Sequence, residues 1–151
     1  MAAGRHGSGL GLHGGARGRE QDGALERAKK GVDLAERGKD LMIVGWSHLC
    51  LVRVLISAGD LSAAQEICSK TQDLDREYRM PPWITNPMAA RQVRIWLAQD
   101  RLDAASRWVH ERALEADRVP AYQREVEHIA LAHILIAQGR LAETTDLLQR
   151  L

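Results

Sequence analysis

From Asp22 onward apolar residues return at steps of three and four, and no stretch alternates in the two-residue rhythm of a half-buried strand. Ala, Leu, Glu, Arg and Gln, all good helix formers, dominate the composition of this stretch. The pattern predicts helices and no sheet. Breaks fall at Gly38 to Asp40, Gly59-Asp60, Met80-Pro81-Pro82, Asp100-Arg101, Val119-Pro120 and Gly139-Arg140. Glycine ends a helix there by taking the left-handed conformation, and proline forbids continuation. Between the breaks lie about seven helices of roughly 10 to 18 residues.

Three of these breaks resemble one another: Ala58-Gly59-Asp60-Leu61-Ser62-Ala63-Ala64, Gln99-Asp100-Arg101-Leu102-Asp103-Ala104-Ala105 and Gln138-Gly139-Arg140-Leu141-Ala142-Glu143-Thr144. Leu61 to Leu102 is 41 residues and Leu102 to Leu141 is 39, a period of about 40 that belongs to stacked helical hairpins. Each unit reads as helix A, tight turn, helix B. Registered on the turns, Leu55, Trp96 and Leu135 are equivalent, as are Val54, Ile95 and Ile134, and Ile56, Leu97 and Ile136. Beyond the turns Ile67 matches Trp108 and Leu147, and Cys68 matches Val109 and Leu148. These ladders are expected to form the continuous core that stacked repeats share. The helix over Ala24 to Arg37 reads as a B helix without its A partner, and Leu141 to Leu151 stops without a polar cap. The expected fold is an all-α helical-hairpin solenoid over residues 22–151, a piece of a longer array.

Composition changes the picture at the N-terminus. Residues 1–21 are rich in glycine and hold too little apolar surface to offset the entropy of ordering, so they are expected to be disordered. Gly9-x-Gly11-x-x-Gly14 has the spacing of a dinucleotide loop, but no strand can precede it, and the match reads as chance in a glycine-rich segment. The formal net charge of +1 gives no overall attraction to phosphate backbones, so direct nucleic-acid binding by this segment is not expected. Two cysteines, Cys50 and Cys68, without Cys-x-x-Cys spacing read as buried reduced thiols of a cytoplasmic protein. The most apolar stretch, Leu41 to Ile56, is interrupted by Ser47, His48 and Arg53, and no membrane crossing is expected.

The hairpins of about forty residues with Ala-Gly-Asp-Leu-type turns, the Pro81-Pro82-Trp83 break followed by Ala90 to Leu97, and the segment Tyr122 to Gly139 together resemble the helical-repeat region of MalT-like regulators. These are the large ATP-binding members of the LuxR group of bacterial transcription activators. The resemblance covers about residues 22–151. It implies a tetratricopeptide-like superhelix that senses an inducer or contacts a protein, between an ATPase and a DNA-binding domain. The only Gly-Lys, Gly38-Lys39, is followed by Asp40, and no phosphate loop is present. ATP hydrolysis and DNA binding therefore do not carry over to this segment, which reads as a fragment or truncated relative of such a regulator.

On the A helices, positions 13, 9, 6 and 2 before the turn share one narrow arc at 3.6 residues per turn. They are Trp46, Cys50, Arg53 and Ser57, then Pro87, Arg91, Arg94 and Ala98, then Val126, Ala130, His133 and Ala137. Small residues leave room while Arg53, Arg94 and His133 stack as a basic ladder. The arc is a candidate groove for a carboxylate, phosphate or hydroxyl-rich ligand, with Trp46, Arg53, Arg91, Arg94 and His133 as its binding residues. The alternative is that small residues permit close helix packing and the arginines reach solvent. Trp96 and Trp108 fall on core ladders, and Trp83 is expected to plug the proline turn.

Glu125-x-x-His128 has no second copy and reads as surface polarity, and His128 and His133 are not four apart, so no metal is expected. No acid, base and nucleophile set assembles, no cofactor is implied, and an enzyme is not expected. The residues therefore point to a non-catalytic module that binds a small-molecule inducer or a protein partner. A stand-alone adaptor, which holds a peptide or self-associates through its uncapped end helices, is the alternative.

Overall fold

The computed structural model describes residues 13–116 and 124–151. Among them the chain is helical throughout: α1 (His13–Gly38), α2 (Leu41–Ala58), α3 (Leu61–Tyr78), α4 (Pro82–Ala98), α5 (Leu102–Glu111), α6 (Glu125–Ala137) and α7 (Leu141–Leu148). Every break read from the sequence separates two of these helices, except that Val119-Pro120 lies outside the described residues.

The three A–B turns share one geometry. Gly59, Asp100 and Gly139 each take a positive φ, at 80°, 56° and 74°. The next residue then donates back across the turn: Asp60 N–H to Leu55 O at 3.0 Å, Arg101 N–H to Trp96 O at 2.8 Å and Arg140 N–H to Leu135 O at 2.9 Å. This six-to-one bond satisfies a carbonyl the helix end leaves free, and it fixes Leu55, Trp96 and Leu135 as structural equivalents. Asp60 then caps α3, its carboxylate accepting from Ala63 N–H at 3.0 Å. Glycine is not required at every turn. Asp100 takes the left-handed conformation in the second hairpin, and Lys39, not Gly38, does so after α1 with φ 58°. Asp tolerates that region better than most residues, whereas Lys39 is held there by its N–H bonds to Ala35 and Glu36 carbonyls.

The A helices α2, α4 and α6 pack in a row, each against the next. Helix α3 bridges α2 and α4, and α5 bridges α4 and α6, while no B helix touches another among the described residues. Helix α1 sits on α2 as α3 sits on α4, in the place of a B helix. It also begins at His13, so residues 13–21 are helical where composition predicts disorder. Leu25, Ala28 and Val32 of α1 pack on the core, and once that turn is nucleated each further residue adds a backbone hydrogen bond at little cost.

Helix α2 has a mean hydropathy of 1.8 over its length and by length and composition alone is apolar enough to cross a membrane. In the fold, Val44, Leu49, Leu51, Val52 and Leu55 are buried, and the helix packs against α1, α3 and α4. Gly45 brings α4 close: a Cβ there would stand 2.5 Å from Met80 Cε and 2.9 Å from Ile84 Cδ1. Helix α4 serves both halves of the core, with Ile84, Met88 and Ile95 on one cluster and Val93 on the other.

The ladders are buried where they face the neighbouring helices, in the last hairpin as well, and open on that hairpin's outer side. Leu55, Ile95, Ile134, Leu135 and Leu147 are each 2% exposed or less, whereas Ile136, Leu141 and Leu148 are 50%, 62% and 51% exposed. Only α6 packs on α7, the outermost described helix.

Buried His48 ties three helices together. Thr71 Oγ1 donates to Ile67 O at 2.9 Å, so the His48 Nδ1–H donates to Thr71 Oγ1 at 2.9 Å. The other ring nitrogen faces Glu36 Oε1 at 3.6 Å, beyond a hydrogen bond but within charge attraction. Burial lowers the His48 pKa, and Glu36 opposes that only in part. A lowered folded-state pKa means the unfolded chain binds the proton more readily. The contribution of His48 is therefore full above a pH of about 6.5 and is lost as pH falls below it toward the folded-state value. Between pH 7.5 and pH 5.0 the urea midpoint is expected to fall further in the wild type than in His48→Gln. Equal falls would show that the imidazole is not the group responsible.

Candidate ligand-binding face

The net charge of +1 conceals a segregation. Helices α2 and α4 carry Arg53, Arg91 and Arg94 and no Asp or Glu, and the acids of α6 are confined to its first turn. The B helices carry acids along their length, among them Glu66, Asp73, Asp75 and Glu77 on α3. The A-helix face is therefore the basic one, and it is continuous because α2, α4 and α6 stand side by side.

Arg91, Arg94 and His133 come together along a groove between α4 and α6. Its volume is about 230 Å³, and Pro87, Ala90, Val126, Ile129 and Ala130 supply the rest of its lining. Val126 and Ile129, 38% and 41% exposed, form part of its walls. Arg91 is half-buried, and its Nε is buried without a hydrogen-bond partner. Burial, then the like charges of Arg94 and Arg53, lower its pKa. No carboxylate is among the groups that act on it. The side chains of Arg53, Arg94 and His133 likewise form no hydrogen bond or ion pair with another described residue. Some arginines elsewhere are paired, as Arg37 with Asp33 at 2.8 Å and Arg76 with Asp73 at 2.7 Å, whereas Arg27, Arg79 and Arg101 also have no side-chain partner among the described residues. What sets Arg91 and Arg94 apart is that they line a groove. Unpaired guanidinium groups over an apolar floor can hold an anion, because desolvation strengthens each charge-assisted bond.

Arg53 and Trp46 do not line this groove. Arg53, on α2, reaches Arg91 through its field. Trp46 instead meets Trp83, with ring centroids 6.2 Å apart and planes tilted by 53°. Both rings are more than half exposed, at 57% and 53%, so Trp83 does not plug the proline turn. Trp83 lies four residues before Pro87, one turn further back along the arc that includes Trp46. Extending that arc by a turn finds it in the sequence.

Two other readings change. Cys50 is exposed and Cys68 buried, so only one of the thiols is a core group. Burial pushes Cys68 up to about 12, where the thiol stays protonated and is no nucleophile at neutral pH. His128 is 5% exposed rather than on the surface, and its Nδ1–H donates to Arg124 O at 2.9 Å. Its neighbour Glu127 is 1% exposed and held by Arg112 and Arg124 at 2.8 and 2.6 Å. The described residues hold no group of three His, Cys, Asp or Glu side chains placed to bind a metal.

Comparison with curated proteins and with solved structures gave no match. The family model described as the MalT-like TPR region, TPR standing for tetratricopeptide repeat, matches residues 20–151. That span takes in all three hairpins and most of α1, and the chain belongs to the MalT-like TPR region family.

Proposed function

We propose that the domain is the non-catalytic sensing module of a cytoplasmic MalT-like transcription regulator. A small-molecule inducer or protein partner docks on the face shared by α2, α4 and α6, and this segment itself contacts neither nucleic acid nor membrane. The observation that carries the reading is the cluster Arg53, Arg91, Arg94 and His133, which lacks any partner among the described residues. Unpaired basic groups this close repel one another, and an anionic ligand relieves that repulsion. Sensing then works by differential affinity: each hairpin touches only its neighbours, so a ligand that spans α4 and α6 favours one angle between them and shifts the population.

A ligand present at 100 times its Kd stabilises the fold by about 2.7 kcal/mol, which for a chain of this size raises the melting midpoint by roughly 5–10 °C. A panel of organic acids, nucleotides, sugars and short peptides at millimolar concentration should contain at least one such ligand. A midpoint unmoved by the whole panel would contradict small-molecule sensing.

The second reading, an adaptor, is favoured by the exposed Trp46–Trp83 pair with Ile43, 56% exposed, on the same helix as Trp46. Exposed aromatic anchors of this kind are enriched in protein interfaces. Under this reading the open apolar end at Leu141 and Leu148 also permits self-association, so the midpoint would respond to protein concentration instead of to small molecules.

A further inference from the structure

We infer that the groove between α4 and α6 is a site for a small monocarboxylate with a compact apolar body, its carboxylate on Arg91 and Arg94 and its body among Pro87, Val126 and Ile129. The inference rests on the binding-module reading and narrows it to one ligand class. Size sets the first limit. At about 230 Å³ the groove is below the roughly 300–1,000 Å³ of sites that enclose drug-sized ligands, so it takes a small molecule or one end of a larger one. Polarity sets the second. Five of the eight lining residues are apolar or small, and a hydroxyl-rich ligand would leave its hydroxyls facing them unsatisfied.

Charge sets the third limit. Arg91 and Arg94 both line the groove, and a guanidinium presents donors in a fork that matches the two oxygens of a carboxylate. Arg91 is half-buried, and a phosphate dianion would cost more to desolvate there than a monoanion does. His133, on the opposite wall from Arg94, offers a ring N–H to the same group. The lowered pKa of Arg91 agrees with this, since burial and the like charges of Arg94 and Arg53 outweigh the opposing Cys50 and Cys68 thiols.

The test uses the whole chain, with 4-methylpentanoate as the probe and 4-methylpentanamide and inorganic phosphate as controls. Arginine Nε–Hε signals are followed by ¹⁵N NMR, and helicity is checked by circular dichroism. Titration with 4-methylpentanoate should move the Arg91 signal and saturate, and the amide should bind at least about tenfold more weakly. Arg91→Gln and Arg94→Gln should each weaken carboxylate binding by about tenfold or more. Arg94 is exposed, so Arg94→Gln keeps the test valid if Arg91→Gln disturbs packing. Arg76→Gln, on α3 and paired with Asp73, should change affinity by less than about threefold.

Equal binding of acid and amide, tighter binding of phosphate, binding indifferent to both glutamine variants, or no movement of the Arg91 signal would each overturn the assignment. The melting panel keeps the two proposals apart. A ligand that stabilises the wild type without needing Arg91 or Arg94 leaves the sensing reading standing and removes this one.

Discussion

Replacing Arg112 and Arg124 together by alanine is expected to destabilise the domain by about 3–5 kcal/mol. Glu127, in the first turn of α6, is 1% exposed. Its Oε1 accepts from Arg112 Nη1 at 2.8 Å and its Oε2 from Arg124 Nε at 2.6 Å. Arg124 Nη2 also donates to the Arg112 carbonyl at 2.8 Å, so three side chains join the end of α5 to the start of α6. Without both arginines a buried carboxylate is left uncompensated, which is the costly way to break such a cluster. The reverse change is milder. The arginine side chains are 39% and 38% exposed and can rehydrate, so Glu127→Gln should cost only about 1–2 kcal/mol. Urea unfolding of the three proteins checks the asymmetry. A double arginine variant less destabilised than Glu127→Gln would contradict it.

A comparable loss, about 2–5 kcal/mol, is expected for Ile134→Ala, with almost none for Ile136→Ala two positions along the same helix. Ile134 is 1% exposed and Ile136 is 50% exposed. Truncating Ile134 leaves a cavity among Leu131, Leu135, Trp108 and Leu147, which share its core cluster, whereas truncating Ile136 removes methyl groups that already meet water. Ile95→Ala, the equivalent change one hairpin earlier in a residue with 0% exposure, should behave like Ile134→Ala. Melting midpoints should fall by roughly 2–4 °C per kcal/mol. Similar costs at Ile134 and Ile136 would mean that the apolar end is covered in solution.

The turn heptapeptides made the repeat legible, because a tight helix end needs a left-handed residue and a returning leucine at a fixed offset. Which residue takes the left-handed conformation is less legible: Asp100 does so in the second heptapeptide, and Lys39 rather than Gly38 at the break after α1. Helical periodicity placed Arg91, Arg94 and His133 on one face, and the α4–α6 groove brings those three together. It also placed Trp46 there, but the ring turns to Trp83, a residue assigned to the proline turn because proline and tryptophan adjoin in sequence. His128 reads as a surface group because polarity is the usual sign of solvent, yet it and its neighbour Glu127 are buried. Arg124 lies at local helical spacing from Glu127 and His128, but Arg112 reaches Glu127 from the far side of the connection between α5 and α6, and that pairing leaves no mark in local pattern. Residues 13–21 show the same limit from the other side: composition measures what a segment can bury, not whether a neighbouring packed turn extends into it.

The most direct measurement is backbone-amide NMR of the whole chain with whichever panel ligand raises its melting midpoint. Shifts gathered on α2, α4 and α6 around Arg53, Arg91, Arg94 and His133, and lost in an Arg53→Ala/Arg91→Ala/Arg94→Ala variant of unchanged helicity, are the expected result. Shifts confined to the B helices α3, α5 and α7, or full binding by the triple variant, would contradict the assignment of the A-helix face as the sensing surface.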